Sequence, residues 1–215
     1  MNNLILYIGN KNYSSWSMRG WLLLKLVKAD FKEVKFELYT DPYYQEILKY
    51  SPSGKVPCLH DGDLMIWDTI AITEYLYEKF TDSKIYPVDT SLRSIARSCI
   101  TEMHSGFIDL RSECPMNIKR VKAKNISQNA SNDLKRIYQI WDFCKKISGN
   151  KQYLLGDFSA IDVFFAPIVS RILSYRLEYS NHKDYIEAIS NHAFFKEWRD
   201  EAIKEKSVIN AVELA

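Results

Sequence analysis

The stretch "AIDVFFAPIVSRIL", residues 160–173, constrains the fold more than any other. It is apolar nearly all round, so a helix there is buried on every side and needs other helices to surround it. Pro167 inside it is expected to kink it. The surrounding helices are legible in the same half of the chain. Leu92, Ile95, Ala96, Cys99, Ile100, Met103, Phe107 and Leu110 repeat with the 3.6-residue period, which predicts one long helix over 92–110. Leu134, Ile137, Tyr138, Trp141 and Cys144 predict a second helix, and a last one covers 192–205. No convincing strand follows residue 89.

The first eighty residues read differently. "LILYI", 4–8, is a short β-prone apolar run, and "VKFEL", 34–38, alternates. Between them "WSMRGWLLLKLVKA" reads as a helix. "DPYYQEILKY" reads as a short helix with Asp41 as cap and Pro42 in its first position. "VPCLHDGDLMIW", 56–67, is two apolar segments about Asp61-Gly62, a strong hairpin signal. "DTIAITEYLYEKF", 68–80, returns to helical spacing. The predicted order is β-α-β-α-β-β-α. The polar stretch "TDSKIYPVD", 81–89, reads as a linker. The outline is therefore a small α/β domain over 1–82 and an all-helical domain over 90–215. The crevice between two such domains is the default ligand site.

Composition narrows the function. A net charge of +2, from 29 basic and 27 acidic side chains, gives no support for nucleic-acid binding. No apolar run reaches membrane-spanning length and no signal segment opens the chain, so a cytoplasmic protein with no membrane partner is expected. Cys58, Cys99, Cys114 and Cys144 lie far apart, and none is spaced like a metal ligand. No metal is expected, and most of the thiols should be small buried hydrophobes.

Three motifs carry chemistry. Pro57 in "SGKVPCL" opens a strand inside the small sheet, where a proline cannot donate to a ladder. A cis Val56-Pro57 bond would leave the Val56 backbone free to pair with a bound peptide, and a trans proline at a strand start is the alternative. In "WDTIAI", Asp68 and Thr69 stand at a helix start. They serve either as a cap or as the recognition site of an α-amino acid head group, whose carboxylate the helix N-terminus favours. In "NKNYSSWSMRGW", hydroxyls precede a helix. They are a cap, or they hold an anion; a thiol docked there, with a free pKa of about 8.5, would lose its proton more easily.

Taken in order, "YSSWSMR", "KVPCL" and "WDTIAI" resemble the cytosolic glutathione transferases, and "SAID", 159–162, resembles that family's capping box. The resemblance covers the whole chain. The serine motif is similar to the zeta-class pattern S-S-C-S-W-R: Ser14, Ser15, Ser17 and Arg19 match, while Trp16 and Met18 depart. The resemblance implies a thioredoxin-like domain followed by the all-helical C-terminal domain, with glutathione as co-substrate and a homodimer as the assembly. It implies that Ser14 donates to the glutathione sulfur, with Ser15 and Ser17 as rivals. Val56 would pair with the cysteinyl backbone beside Pro57. Asp68 and Thr69 would hold the γ-glutamyl end, and Lys55 would lie near the glycine carboxylate. Tyr7 resembles the tyrosine other classes use, and packing is its expected role.

At 100° per residue, Arg97, His104 and Arg111 fall in one row along the flank of the 92–110 stripe. They are either contacts for an anionic or carbonyl-bearing second substrate or surface and interface residues. Cys114 is a candidate contact for the second substrate, and Tyr13, Trp16 and Met116 are either its apolar walls or core residues. The expected activity is transfer of glutathione to a small-molecule electrophile. A zeta-like cis-trans isomerisation of a maleyl-type diacid is a close rival. A non-catalytic interaction module is the alternative from a different class.

Overall fold

A computed structural model of the chain describes residues 4–213, so residues 1–3 and 214–215 of the two expected domains lie outside the described residues. Four strands form one mixed sheet in the order β2-β1-β3-β4. β1 (Leu4–Ile8) runs parallel to β2 (Phe31–Lys35), and β3 (Cys58–Asp61) runs antiparallel to β1 and to β4 (Leu64–Trp67). Helices α1 (Ser15–Leu26), α2 (Asp41–Glu46) and α3 (Thr69–Lys79) complete this half. From residue 90 onward the named elements are all helical: α4 (Thr90–Ser105), α5 (Ile108–Glu113), α6 (Gln128–Ile147), α7 (Ala160–Tyr175), α8 (Lys183–Asn191), α9 (Ala193–Lys204) and α10 (Asn210–Glu213), with a short 3-10 turn before α8. This is a thioredoxin-like α/β half followed by a helical half.

Helix α7 is the buried helix its sequence demands. Ile161, Val163, Phe164, Phe165, Ile168, Val169 and Ile172 are all fully buried, and α1, α4 and α8 pack against it. Its capping box forms: the Asp162 carboxylate accepts the Ser159 N–H at 3.0 Å. Asp162 also accepts the Leu154 N–H at 3.1 Å and the Tyr185 hydroxyl at 3.2 Å. Helix α1 belongs to both halves, since it packs against β1 and α3 on one side and α7 and α9 on the other. Gly20 lets α1 lie close to the β3 approach: a Cβ there would meet Pro57 Cγ at 3.1 Å.

Four expectations are corrected. β2 ends at Lys35 and does not run on to residue 38, because its partner β1 ends at Ile8; beyond it, Phe36 N–H donates to the Ile8 carbonyl and Leu38 N–H to Asn10 Oδ1. Thr40, not Asp41, caps α2, accepting the Tyr43 N–H at 3.3 Å. The long 92–110 helix breaks in two, since Gly106 is extended and Phe107 adopts the left-handed conformation at φ 61°. Helices α8 and α10 were not anticipated.

Candidate functional site

The site is built where two helix N-termini and a strand approach come together. The loop before α1 is held from several sides. The Gly9 N–H donates to Ser17 Oγ at 3.0 Å, the Trp198 indole N–H donates to the Lys11 carbonyl at 3.0 Å, and the Glu205 carboxylate accepts the N–H groups of Lys11 and Asn12. Ser14 is the N-cap of α1. Its Oγ accepts the Ser17 N–H at 3.2 Å, and its hydroxyl donates to Ser17 Oγ at 2.8 Å.

Across from α1, the Val56-Pro57 peptide bond is cis. Val56 lies just outside the ladder, and among the described residues its backbone N–H and carbonyl have no hydrogen-bond partner. Asp68 caps α3 at φ 73°, ψ 135°, a conformation a non-glycine residue rarely adopts. Its Oδ1 accepts the Ile70 N–H at 2.8 Å, and its Oδ2 lies 3.2 Å from His104 Nε2. Thr69 is fully buried, and its Oγ1 has no partner among the described residues.

Two adjoining cavities share Trp16, Lys55 and Val56 as walls. The larger, of about 620 Å³, is lined on one side by Ser14, Ser15, Arg111 and Arg171 and on the other by Tyr39, Tyr43 and Tyr44. The smaller, of about 440 Å³, is bounded by Ser53, Pro57, Trp67, Asp68, Thr69 and His104.

The crevice is strongly cationic. Arg171 is buried; its Nε donates to the Cys114 carbonyl at 2.8 Å, its Nη1 to the Pro167 carbonyl at 3.1 Å, and its Nη2 to Ser15 Oγ at 3.4 Å. Arg111 donates to the His104 and Gly106 carbonyls and lies 4.8 Å over the Trp16 ring. Arg19 is buried beneath the site, with Nε and Nη1 unpartnered, between the rings of Trp16 at 4.8 Å and Phe164 at 5.0 Å. Burial, with the neighbouring Arg111 and Arg171, pushes the Arg19 pKa well below the usual arginine value. Burial and Arg111 bring Arg171 down to about 10, so it still carries its charge at neutral pH. Burial also lowers the His104 pKa against the opposite pull of Asp68, so its imidazole is neutral near pH 7.

The structure thus brings Ser14, Ser15, Lys55, Val56, Pro57, Asp68, Thr69, His104 and Arg111 to one crevice. It does not bring three others. Ser17 is fully buried and spends its oxygen on the Gly9 N–H and the Ser14 hydroxyl. Arg97 pairs with Glu74 through Nε at 3.2 Å and Nη2 at 2.9 Å and stacks on Tyr86, away from both cavities. The expected row fails because the break at Gly106 and Phe107 puts Arg111 on a separate helix. Cys114 is fully buried, and burial raises its pKa to about 11. Arg171 was missed. The available signal was a charged residue inside a helix otherwise apolar on every side, since such a charge needs a partner or a task. Among the described residues, no cluster of His, Cys, Asp and Glu could hold a metal ion, and no helix is long and apolar enough to cross a membrane.

Comparison with known proteins agrees with this geometry. Residues 13–79 match the family described as glutathione S-transferase, N-terminal domain. Glutathione S-transferase 1 of Dianthus caryophyllus is 28% identical over 178 residues, covering 80% of this chain and 79% of that one. A zeta-class glutathione S-transferase of Euphorbia esula is 32% identical over 105 residues, so the chain spans about half the length of that relative (47%). The fold superposes with a TM-score of 0.73 on a glutathione transferase homolog from Burkholderia solved with bound glutathione; identity is 20%, over 95% of this chain and 100% of that one.

Proposed function

We propose, for a chain that belongs to the cytosolic glutathione transferase superfamily, that it binds glutathione in this crevice and directs the thiolate at a small electrophile bearing negative charge. One observation carries the reading: free peptide-binding groups and orphaned polar atoms line a single cavity. These are the Val56 backbone, the buried Thr69 Oγ1 and the N-terminus of α3. Buried polar groups left without partners in a folded chain mark a place where a ligand completes them. In this reading Val56 pairs with the cysteinyl backbone, Asp68 receives the γ-glutamyl ammonium, and Thr69 with the α3 N-terminus receives the adjoining carboxylate. Lys55 faces the glycine carboxylate.

The sulfur then lies at the start of α1. Ser14 donates to it. A turn of the O–H about the Cβ–Oγ bond redirects the proton from Ser17 to the thiolate, while the oxygen goes on accepting the Ser17 N–H. The hydroxyl and the helix dipole together favour the ionised thiol, and the thiolate attacks the electrophilic carbon. Arg111 and Arg171 receive the substrate's anionic group. Two guanidiniums in one chamber also favour a second reading, reversible addition to a maleyl-type diacid with rotation about the weakened bond.

The unit 1–82 is assigned to glutathione and 90–215 to the second substrate. The assembly is taken to be a homodimer, for which Leu64, Met65 and Trp67 on the edge strand β4, 37–50% exposed, supply apolar surface.

The test is retention on immobilised glutathione, followed by titration of the bound thiol through its ultraviolet thiolate band. A thiol pKa well below 8.5 supports the enzyme, and an unshifted thiol refutes thiolate activation. Failure to bind glutathione leaves the interaction module. Turnover of a chloroaryl substrate against a maleyl-type diacid separates transfer from isomerisation.

A further inference from the structure

Trp16 occupies the motif position that the zeta-class pattern gives to cysteine, and with Lys55 and Val56 it is a wall common to both cavities. It stands one residue past Ser15, half-buried, between the chamber that holds the α3 N-terminus and the chamber that holds the two arginines. A small side chain there would remove the largest of the three side chains that the two chambers share.

Its orientation is fixed by charge. The Arg19 and Arg111 guanidiniums each lie 4.8 Å from the Trp16 ring, and the His104 ring meets it edge-on with centroids 4.8 Å apart. Arg19 is fully buried and leaves two nitrogens unpartnered, so aromatic faces are its main compensation. Swinging the indole away would strand that cation against Phe164 alone. Arg111, in turn, is steered over the indole at the edge of the larger chamber. Among the described residues that chamber is lined by the cations Lys55, Arg111 and Arg171 and by no carboxylate.

We propose that Trp16 is the specificity-determining residue of this crevice, selecting flat conjugated electrophiles that carry a carboxylate, such as aryl enone acids. The proposal rests on the glutathione reading above. The flat body lies in the slot between the Trp16 indole and the tyrosines of the α2 side, and the carboxylate reaches Arg111 and Arg171. In the reaction the sulfur forms a bond to the β-carbon, the C=C π pair moves to the carbonyl oxygen as an enolate, and the α-carbon takes a proton from water. The thiol's own proton has already left to solvent, so the overall addition balances.

The test compares kcat/KM for an aryl enone carboxylic acid with that for its methyl ester, at saturating glutathione, in wild type, Trp16→Phe, Trp16→Leu and Trp16→Cys. Wild type is expected to prefer the acid by about tenfold or more, the scale of one charge-assisted contact. Trp16→Phe keeps a ring against Arg19 and Arg111 and should hold the ratio within about threefold. Trp16→Leu and Trp16→Cys should lower it about tenfold through the KM of the acid. If Trp16→Cys fails to fold, the Phe and Leu variants still decide. Equal ratios in Phe and Leu, or no acid preference in wild type, overturn the proposal while glutathione binding and the thiol shift stand. Loss of glutathione binding by the wild-type protein overturns the reading beneath it as well.

Discussion

Ser14 does two jobs in the proposed mechanism, and substitution can pull them apart. As a cap, its oxygen accepts the Ser17 N–H at 3.2 Å, and losing such a cap costs about 1 kcal/mol. For a chain of 215 residues that lowers Tm by about 2–4 °C. As a donor to the bound thiolate it contributes about 1.5–3 kcal/mol, and at about 1.4 kcal/mol per pH unit this is one to two units of thiol pKa. Ser14→Ala loses both, so Tm falls and the thiol pKa rises, with thiolate-limited turnover slowed about ten- to a hundredfold below the pKa. Ser14→Asp keeps an acceptor well suited to the cap but has no proton to give, and its charge repels the thiolate. The two readouts should therefore rank the variants in different orders. Thiol pKa rises from wild type to Ala to Asp, while Tm is lowest for Ala and recovers in Asp. Thermal unfolding and the ultraviolet titration of bound glutathione measure them separately. If Ser14→Ala leaves the thiol pKa in place and Ser15→Ala raises it, the donor is Ser15, whose oxygen already accepts from Arg171 at 3.4 Å and whose proton is free. If neither moves it, hydroxyl activation is wrong.

Arg171→Gln should raise KM for a carboxylate-bearing electrophile by about tenfold or more, the worth of a charge-assisted hydrogen bond, and change KM for an uncharged chloroaryl substrate far less; steady-state kinetics with the matched pair decide it. His104 faces Asp68, with Arg19 and Arg111 also acting on it, and its lowered pKa keeps it neutral near pH 7. Affinity for S-methylglutathione, which has no thiol to titrate, should be flat just above neutral pH and weaken in acid, where a protonated His104 competes with the ligand ammonium for Asp68. In His104→Gln, calorimetric titration across pH should show the acid loss removed. Burial raises the Asp162 pKa from 3.8 to about 6, so between those values the folded chain holds a proton that the unfolded chain releases. Its stabilising contribution, about 3 kcal/mol at most, is complete below pH 4 and lost as pH rises through 6. Tm measured from pH 4 to 7 should lose that component of its slope in Asp162→Asn.

Much of the fold was legible because burial patterns are local. The 160–173 run, the Asp61-Gly62 hairpin and the cap before α3 each declare themselves within a dozen residues. What was not legible depends on partners far along the chain. The end of β2 is set by where β1 stops, and the break at Phe107 is a backbone choice that its apolar periodicity conceals. The same break explains the site. Arg97, His104 and Arg111 share a seven-residue spacing, yet Glu74 takes Arg97 out of the crevice while the new helix start delivers Arg111 to Trp16. Ser17 matches its motif and still faces inward, because Gly9 and Ser14 both claim its oxygen.

Helix α7 shows how a structural charge differs from a working one. It contains two charged residues, Asp162 and Arg171, both buried. Asp162 accepts from two backbone N–H groups, the Tyr185 hydroxyl and Ser159, so its neighbours saturate it and it fixes the start of the helix. Arg171 gives its nitrogens to two carbonyls and a serine oxygen, all neutral, and the charges beside it are those of Arg111 and Arg19. Its hydrogen bonds are largely met while its charge is not. A cation kept that way costs free energy until an anion arrives, and the helix that places it also packs against α1, where the thiolate would form. Binding an anionic electrophile would therefore relieve a repulsion already present in the folded chain. If that is right, small carboxylates alone should raise Tm in wild type and have no such effect in Arg171→Gln.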